Sequence, residues 1–230
     1  MTRTVDLRAL DEAGAGELAA AVAAAELVCF PTDTVYGVGG AVAAATVAAV
    51  ARVKGRAPDK PLQVVYPTVE LLLAALAPGP RLAAVLARLL PGPFTLVVPY
   101  PAGLDCPPPA FAEWPAAPGA AARLVATLGV RVPAWPAGAR ALARLPFPLL
   151  ASSANPSGGA DPAALEQVAP AVRAACTLLL DAGPTAGVSS CVLDLSGLEA
   201  GLGWRVLRPG AVAAAELEAL LGGDDERTLT

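Results

Sequence analysis

Both lysines of the chain fall in one heptapeptide, Lys54-Gly55-Arg56-Ala57-Pro58-Asp59-Lys60, while all its other basic residues are arginines. Three cations in so short a loop suit a phosphate group. Arg offers a planar fork, Lys a compact point charge, and Gly55 and Pro58 keep the backbone out of helix. The competing reading is a solvated charged loop. Three further polar segments share the pattern of chemistry-bearing residues beside apolar runs. Pro31-Thr32-Asp33-Thr34-Val35-Tyr36-Gly37 sets two hydroxyls and a carboxylate at the end of such a run, to bind a small polar ligand or to cap the next element. Ser152-Ser153-Ala154-Asn155 with Ser157-Gly158-Gly159 can turn backbone N–H groups toward an anion, although serine-rich turns are common. Trp204-Arg205-Val206-Leu207-Arg208-Pro209-Gly210 ends an apolar run on an arginine, at a cleft edge or an ordinary surface turn. Gly187-Val188-Ser189-Ser190 adds a hydroxyl ahead of another run.

The missing residue types narrow the chemistry. The chain has no histidine, which excludes a Ser-His-Asp triad, a Cys-His dyad and His-ligated zinc or haem. No GxxxxGK[ST] occurs, and Gly37-Val38-Gly39-Gly40 is not GxGxxG, so a bound nucleotide would be held by scattered Arg, Lys and Ser groups. Cys29, Cys106, Cys176 and Cys191 have no CxxC spacing and read as buried free thiols.

The elements that must position these segments alternate between short apolar runs and helical stretches. Residues 15–26 suit a helix, Leu27 to Phe30 a buried strand ended by Pro31, residues 42–53 a helix stopped at Gly55, and Leu62 to Tyr66 a strand. Helices are expected over 69–76 and 81–90, a strand over Phe94 to Val98, and a proline-rich surface excursion over 101–122. Strands follow at Leu124 to Val132 and Leu149 to Ala151, with a helix between them over Ala137 to Leu145. Then come a helix near 162–169, strands near 176–180, 190–195 and 204–208, and a closing helix over Ala213 to Leu221. The alternation predicts an α/β domain over residues 1–222 with a short polar tail at 223–230, and in such folds loops after strands line the ligand crevice.

Bulk composition sets outer limits. A length of 230 residues can bury a sizeable core. The mean hydropathy of +0.57 is raised by alanine. The longest charge-free run without proline, Thr34 to Ala51, contains Gly37, Gly39 and Gly40 and reads poorly as a membrane span. The N-terminus lacks the apolar core of a signal peptide, so a soluble, cytoplasmic chain without a membrane partner is expected. A net charge of −4 opposes strong non-specific binding of nucleic acid by the whole surface, and leaves room for a local basic cleft.

Six segments taken in order resemble the YrdC-type threonylcarbamoyl-AMP synthase family, in its single-domain form. They are Pro31-Thr32-Asp33-Thr34-Val35-Tyr36-Gly37, Lys54-Gly55-Arg56 with Lys60-Pro61-Leu62, Leu90-Pro91-Gly92-Pro93-Phe94-Thr95-Leu96, Gly129-Val130-Arg131-Val132-Pro133, Ser152-Ser153-Ala154-Asn155-Pro156-Ser157-Gly158, and Leu207-Arg208-Pro209-Gly210. The match runs over roughly residues 15–212. The resemblance implies a twisted mixed sheet flanked by helices with a concave, locally positive ligand cleft. It implies conversion of L-threonine, bicarbonate and ATP to threonylcarbamoyl-AMP and pyrophosphate, a nucleotidyl transfer. That product serves N6-threonylcarbamoyl modification of adenosine 37 in tRNAs reading ANN codons, through a separate threonylcarbamoyl-transfer machinery, with at most a weak tRNA contact by this chain.

Carried over by position, Thr34, Arg131, Ser190 and the backbone at Ala151 would surround threonine. Arg56, Lys60, Ser153, Arg208 and the backbone at Thr127 would hold ATP, with Lys54 and Asn155 close by; Lys54, Arg56 and Lys60 would stabilise the reacting phosphoryl group. Mg2+ is expected to bind mainly through ATP and water. Members often carry His where this chain has Val65, read Pro-x-His-Pro where it has Pro133-Ala134-Trp135-Pro136, and have Ser-Thr in place of Ser190-Cys191. Two other classes compete with the synthase. One is an RNA-binding module of the same fold acting on tRNA or rRNA; the other is a carbamoyl transferase, which usually carries additional domains.

Overall fold

The computed structural model describes residues 2–57, 60–101, 111–114 and 125–222. Eleven strands among them form one mixed sheet: β1 (Arg3–Asp6), β2 (Val28–Pro31), β3 (Tyr36–Ala41), β4 (Gln63–Val65), β5 (Phe94–Pro99), β6 (Phe111–Trp114), β7 (Val125–Arg131), β8 (Leu149–Ser153), β9 (Leu178–Asp181), β10 (Cys191–Asp194) and β11 (Arg205–Arg208). The order is β1-β9-β2-β3-β8-β4-β7-β5-β10-β11, with β6 added to β7. Parallel pairs (β1/β9, β2/β9, β4/β7, β5/β10) mix with antiparallel ones such as β2/β3, β3/β8 and β5/β7. Six helices accompany the sheet among the described residues: α1 (Glu12–Ala24), α2 (Ala44–Lys54), α3 (Val69–Leu76), α4 (Pro80–Leu89), α5 (Pro170–Ala175) and α6 (Ala214–Leu221).

Side chains alternate across a strand, and that period divides the sheet into a covered face and a partly open one. Tyr36, Val38, Val64, Leu96, Val130 and Leu150 enter the larger apolar cluster with Val50 of α2, Leu72 of α3, Leu86 of α4 and Leu217 of α6. On the opposite face, Val28, Phe30, Val65 and Leu149 pack with Leu18 and Val22 of α1 and with Ala139 and Leu142. Those helical pieces cover only part of that face. Gly37, Gln63, Thr95, Val97, Gly129, Arg131 and Ala151 occupy the remainder and line a cavity.

The sheet departs from the sequence reading where glycine hides a strand. β3 was not expected, because three of its six residues are Gly37, Gly39 and Gly40. Tertiary packing outweighs their weak strand preference: a Cβ on Gly39 would sit 1.7 Å from the Leu150 carbonyl oxygen, so only glycine lets β3 and β8 pair there. β1, at the edge beside β9, was also unexpected. The helix expected near 162–169 is only a 3-10 turn at Leu165–Gln167, and the true helix, α5, starts at Pro170. Proline lacks an N–H and suits a first helical turn rather than an interior one. Ala137–Arg144 is helical as expected but wound as 3-10. Cys29, Cys176 and Cys191 are buried and free; Cys106 and the tail 223–230 lie outside the described residues. Of the proline-rich excursion, 111–114 form β6, and 102–110 and 115–122 lie outside them. No helix among the described residues is long and apolar enough to cross a membrane.

Gly39→Ala is expected to destabilise the protein by about 3 kcal/mol or more, because the clash is with backbone that cannot rotate away. Gly16→Ala, at an exposed α1 position with open space around the added methyl, is expected to stabilise by about 0.5–1 kcal/mol. Urea denaturation of the two variants checks both signs.

Candidate active site

Helix α2 ends at Gly55, whose φ of 59° and ψ of 38° are left-handed. The Gly55 N–H returns to Arg52 O at 3.3 Å and the Arg56 N–H to Ala51 O at 3.1 Å. This Gly-capped end reverses the chain, so that Arg56 lines the cavity while Lys54 is buried beneath it. The Lys54 ammonium donates to Ser153 O, to Asn155 O at 2.7 Å and to Asn155 Oδ1 at 2.9 Å. An ammonium has three protons, and here all three go to protein acceptors. Burial, with the neighbouring Arg56 cation, pulls the Lys54 ammonium down to about 8, and Asp161 opposes that pull.

Asn155 links this anchor to the rim of the cavity. Its Oδ1 also accepts from Ser153 Oγ at 2.7 Å, and its Nδ2 donates to Gly159 O and to Asp161 Oδ1, the latter at 3.1 Å. Asp161 Oδ2 in turn accepts from Ser189 Oγ. Two segments far apart in sequence therefore meet at the Asp161 carboxylate.

On the floor, the Arg131 guanidinium is 2% exposed. Its Nη2 donates to Asp33 Oδ1 and Thr34 Oγ1, and the second Asp33 oxygen accepts from the Ala134 N–H at 3.0 Å. Burial lowers the Arg131 pKa from its usual range and Asp33 opposes the shift. Thr32 Oγ1 donates to Val35 O at 2.7 Å, closing the turn that presents Thr34. Thr185 Oγ1 and the Gly187 N–H both donate to Thr34 O, at 2.9 and 2.7 Å. Beside Arg131, Thr95 Oγ1 lies 2.8 Å from both Gln63 Oε1 and Ser190 Oγ, and Arg208 Nη2 donates to Ser190 O at 2.9 Å.

The cavity these groups enclose measures about 330 Å³. Among the described residues, three arginines line it (Arg56, Arg131 and Arg208) and one carboxylate, Asp161. The Nε atoms of Arg56 and Arg131 are buried and meet no acceptor among the described residues. A buried donor without a partner is costly, so both point to an anionic ligand that completes them. Burial pushes the Cys176 thiol up to about 12, and raises Cys29 and Cys191 as well. The site is thus built to bind and position anionic oxygens.

A family model designated Sua5_yciO_yrdC, described as "Telomere recombination", matches residues 20–210. The chain belongs to the Sua5/YciO/YrdC family. A Bacillus subtilis (strain 168) protein named threonylcarbamoyl-AMP synthase is 34% identical over 200 residues, 86% of this chain and 53% of that protein. The chain thus spans about half the length of that relative. A Mycobacterium tuberculosis (H37Rv) protein named putative threonylcarbamoyl-AMP synthase is 32% identical over 231 residues, 97% of each. Pyrococcus abyssi Sua5 complexed with L-threonine shares the fold at a TM-score of 0.73 and 29% identity, covering 98% of this chain and 61% of that one.

Within this family framework, Arg56, Arg131, Ala151, Ser153, Ser190 and Arg208, all read from the sequence as site residues, come together on the cavity wall. Thr34 reaches it through its bond to Arg131. Thr127 is buried on β7, two residues from the cavity-lining Gly129. Lys54 and Asn155 lie behind the wall with their polar atoms engaged by protein, and Lys60 is exposed at the end of its loop. Sequence reasoning missed Gln63 and Asp161 as site residues. Period-two alternation from Arg131 and its β4 partner marks Gln63, since Gln63 pairs with Gly129 and Val65 with Arg131. Nothing local marks Asp161. Val65 packs beside Leu149 in the apolar cluster instead of lining the cavity, and Trp135 Nε1 donates to Pro67 O at 2.8 Å.

Lys54→Met takes a donor from three acceptors, of which Asn155 Oδ1 keeps Ser153 Oγ, and is expected to cost about 2–4 kcal/mol of stability. The folded ammonium titrates near 8, below its usual 10.5. Between these values the unfolded chain binds more protons than the folded one, so this lysine makes stability rise with pH. The stability difference between the parent chain and Lys54→Met is expected to widen across that window, as measured by denaturant titration at successive pH values.

Proposed function

We propose that the chain is an L-threonylcarbamoyladenylate synthase, a nucleotidyltransferase forming threonylcarbamoyl-AMP and pyrophosphate from L-threonine, bicarbonate and ATP. The observation that carries this reading is the convergence of three arginines on one cavity. Arg131, buried and short of one acceptor at Nε, suits a carboxylate near Thr34, Ser190 and the Ala151 backbone. Arg56 and Arg208, with Ser153, suit phosphates. The names of the relatives and the threonine complex of Pyrococcus abyssi Sua5 agree with it.

The chemistry needs no side-chain nucleophile. The threonine amine and bicarbonate give an N-carboxylate and water. An oxygen of that carboxylate bonds to the α-phosphorus while the bond to the pyrophosphate oxygen breaks. The protein's part is to hold the two reactants in line and to balance the negative charge. Arg131 orients the threonine carboxylate, and Arg56 and Arg208 draw charge from the transferring phosphoryl group. Lys60, at the end of the same loop, and the Thr127 backbone are proposed as outer ATP contacts. Lys54 and Asn155 act by holding the wall to which Ser153 belongs. Mg2+ fits as a partner of the triphosphate and would supply charge neutralisation there. Asp161, the one carboxylate that lines the cavity among the described residues, is the side chain that could help hold it, ATP and water giving the other ligands. The product would pass to a separate transfer machinery for adenosine 37 of tRNA. An RNA-binding reading fits less well, because the arginines converge in a cavity of about 330 Å³ instead of spreading over a surface that could follow a strand.

The purified chain is expected to release pyrophosphate from ATP only when threonine and bicarbonate are both present; release independent of threonine would falsify the reading. Arg131→Lys keeps the charge but loses the fork. It is expected to raise the KM for threonine about 10- to 100-fold with the KM for ATP changed less than about twofold.

A further inference from the structure

Gln63 is the polar floor residue to which the proposed reaction has so far given no part. On β4 it faces the cavity between Ala151 of β8 and Gly129 of β7. Its two strand neighbours have almost no side chain, so the Gln63 amide stands clear in that row.

Proton counting fixes which way the amide points. Thr95 has a single hydroxyl proton and donates it to Gln63 Oε1 at 2.8 Å. The 2.8 Å contact between Thr95 Oγ1 and Ser190 Oγ therefore has Ser190 as donor. Arg208 Nη2 lies 3.3 Å from Ser190 Oγ on its accepting side. The chain of bonds runs one way, from Arg208 through Ser190 and Thr95 to Gln63. Turning the amide over would leave either the Ser190 or the Thr95 hydroxyl proton without an acceptor among the described residues, at sites only 3% and 8% exposed. Oε1 is thus committed, and the Gln63 NH2 group, with no acceptor among the described residues, is left for a ligand.

From this one-way network we infer that the Gln63 side-chain NH2 is the hydrogen-bond donor for the bicarbonate, and for the N-carboxylate made from it, with Thr95 and Ser190 as positioning residues. The inference rests on the synthase reading. The threonine carboxylate has Arg131 and the phosphates have Arg56 and Arg208, all around the same cavity. The N-carboxylate joins these two parts chemically, and the floor of the same cavity offers it a neutral donor. Neutrality is an advantage at that point. A cation would pair with the carboxylate and weaken it as a nucleophile, whereas an amide orients it and leaves its charge for attack on phosphorus. Same-face residues two apart on a strand are separated by about 6.6–6.8 Å, and Gln63 is one such step from Val65, the β4 partner of Arg131. That spacing is within reach of the two ends of a single N-carboxylated amino acid held by two side chains.

The test is steady-state pyrophosphate release with each substrate varied in turn, bicarbonate being added to carbon dioxide-depleted buffer. Gln63→Met is expected to raise the KM for bicarbonate about tenfold or more, with the KM values for threonine and ATP within about twofold. Gln63→Glu, which keeps the shape and turns the donor into an anion, is expected to raise it further, and guards against a folding defect in the first variant. Thr95→Val frees the amide to turn and is expected to shift the bicarbonate KM in the same direction by less. Combined with Gln63→Met it is expected to add nothing, as for two residues acting in one chain. An unchanged bicarbonate KM in active Gln63 variants, or equal rises for all three substrates, overturns the inference alone. No threonine-dependent release by the parent chain overturns the synthase reading and this inference with it.

Discussion

A buried ammonium ion organises one wall of this cleft. Lys54 is the last residue of α2, and its three protons reach across to the end of β8 and the turn after it. A cation so placed is tolerable only while every proton has an acceptor, and that requirement ties together two segments about a hundred residues apart in sequence. Much of the wall follows. Gly55 turns Arg56 into the cavity, Asn155 is gripped at both ends of its amide, and Asn155 passes the order on to Asp161 and Ser189. Arg56 can then present a buried, unsatisfied Nε without collapsing onto the protein, because the backbone on each side of it is held elsewhere. The orphan donor is a cost at the ligand site, offset by bonds made behind it.

The second organising constraint is the sheet itself. Helices cover one face completely enough to bury Val64, Val130 and Leu150, while α1 and Ala137–Arg144 cover only part of the other. The uncovered part is paved with small residues, Gly37, Gly129 and Ala151, so the few polar side chains there stand apart: Gln63, Arg131 and Thr95. Selectivity in such a floor comes from which polar atoms are already committed. Arg131 gives Nη2 to Asp33 and Thr34 and withholds Nε; Gln63 gives Oε1 to Thr95 and withholds its NH2. The protein's internal hydrogen bonds thereby define where a ligand's acceptors must lie.

Much of this could be read from the chain before its coordinates. Short apolar runs alternating with helical ones indicated an α/β sheet, and the polar segments at the strand ends are the ones that meet at the cavity. What escaped has physical causes. β3 hides behind glycines that serve a close approach to β8, a contact that no local pattern records. Lys54 and Asn155 looked like ligand groups because their types suit phosphate; only three-dimensional structure shows their polar atoms spent on each other. Asp161 sits amid prolines, alanines and glycines, and acquires its place from Asn155 and Ser189. Gln63 was legible in principle from the strand period, once the neighbouring strand was anchored on Arg131.

The absence of histidine takes on a sharper meaning at this site. At two positions where the family resemblance led to an expectation of histidine, this chain has Val65, sealed among apolar neighbours, and Trp135, whose indole N–H is bound to Pro67 O. Neither position offers a proton acceptor to the cavity. If the nucleophile is the N-carboxylate, none is needed for attack on phosphorus, since the attacking oxygen is already anionic. The demand on the protein is then geometric: two anions that repel each other must be brought into line. Arginines at Arg131 and at Arg56 with Arg208 can hold them in one cavity, and a neutral Gln63 on the same floor adds direction without adding charge. A chain without histidine can meet that demand because it rests on fixed donors, and arginine and amide donors keep their protonation across the physiological range.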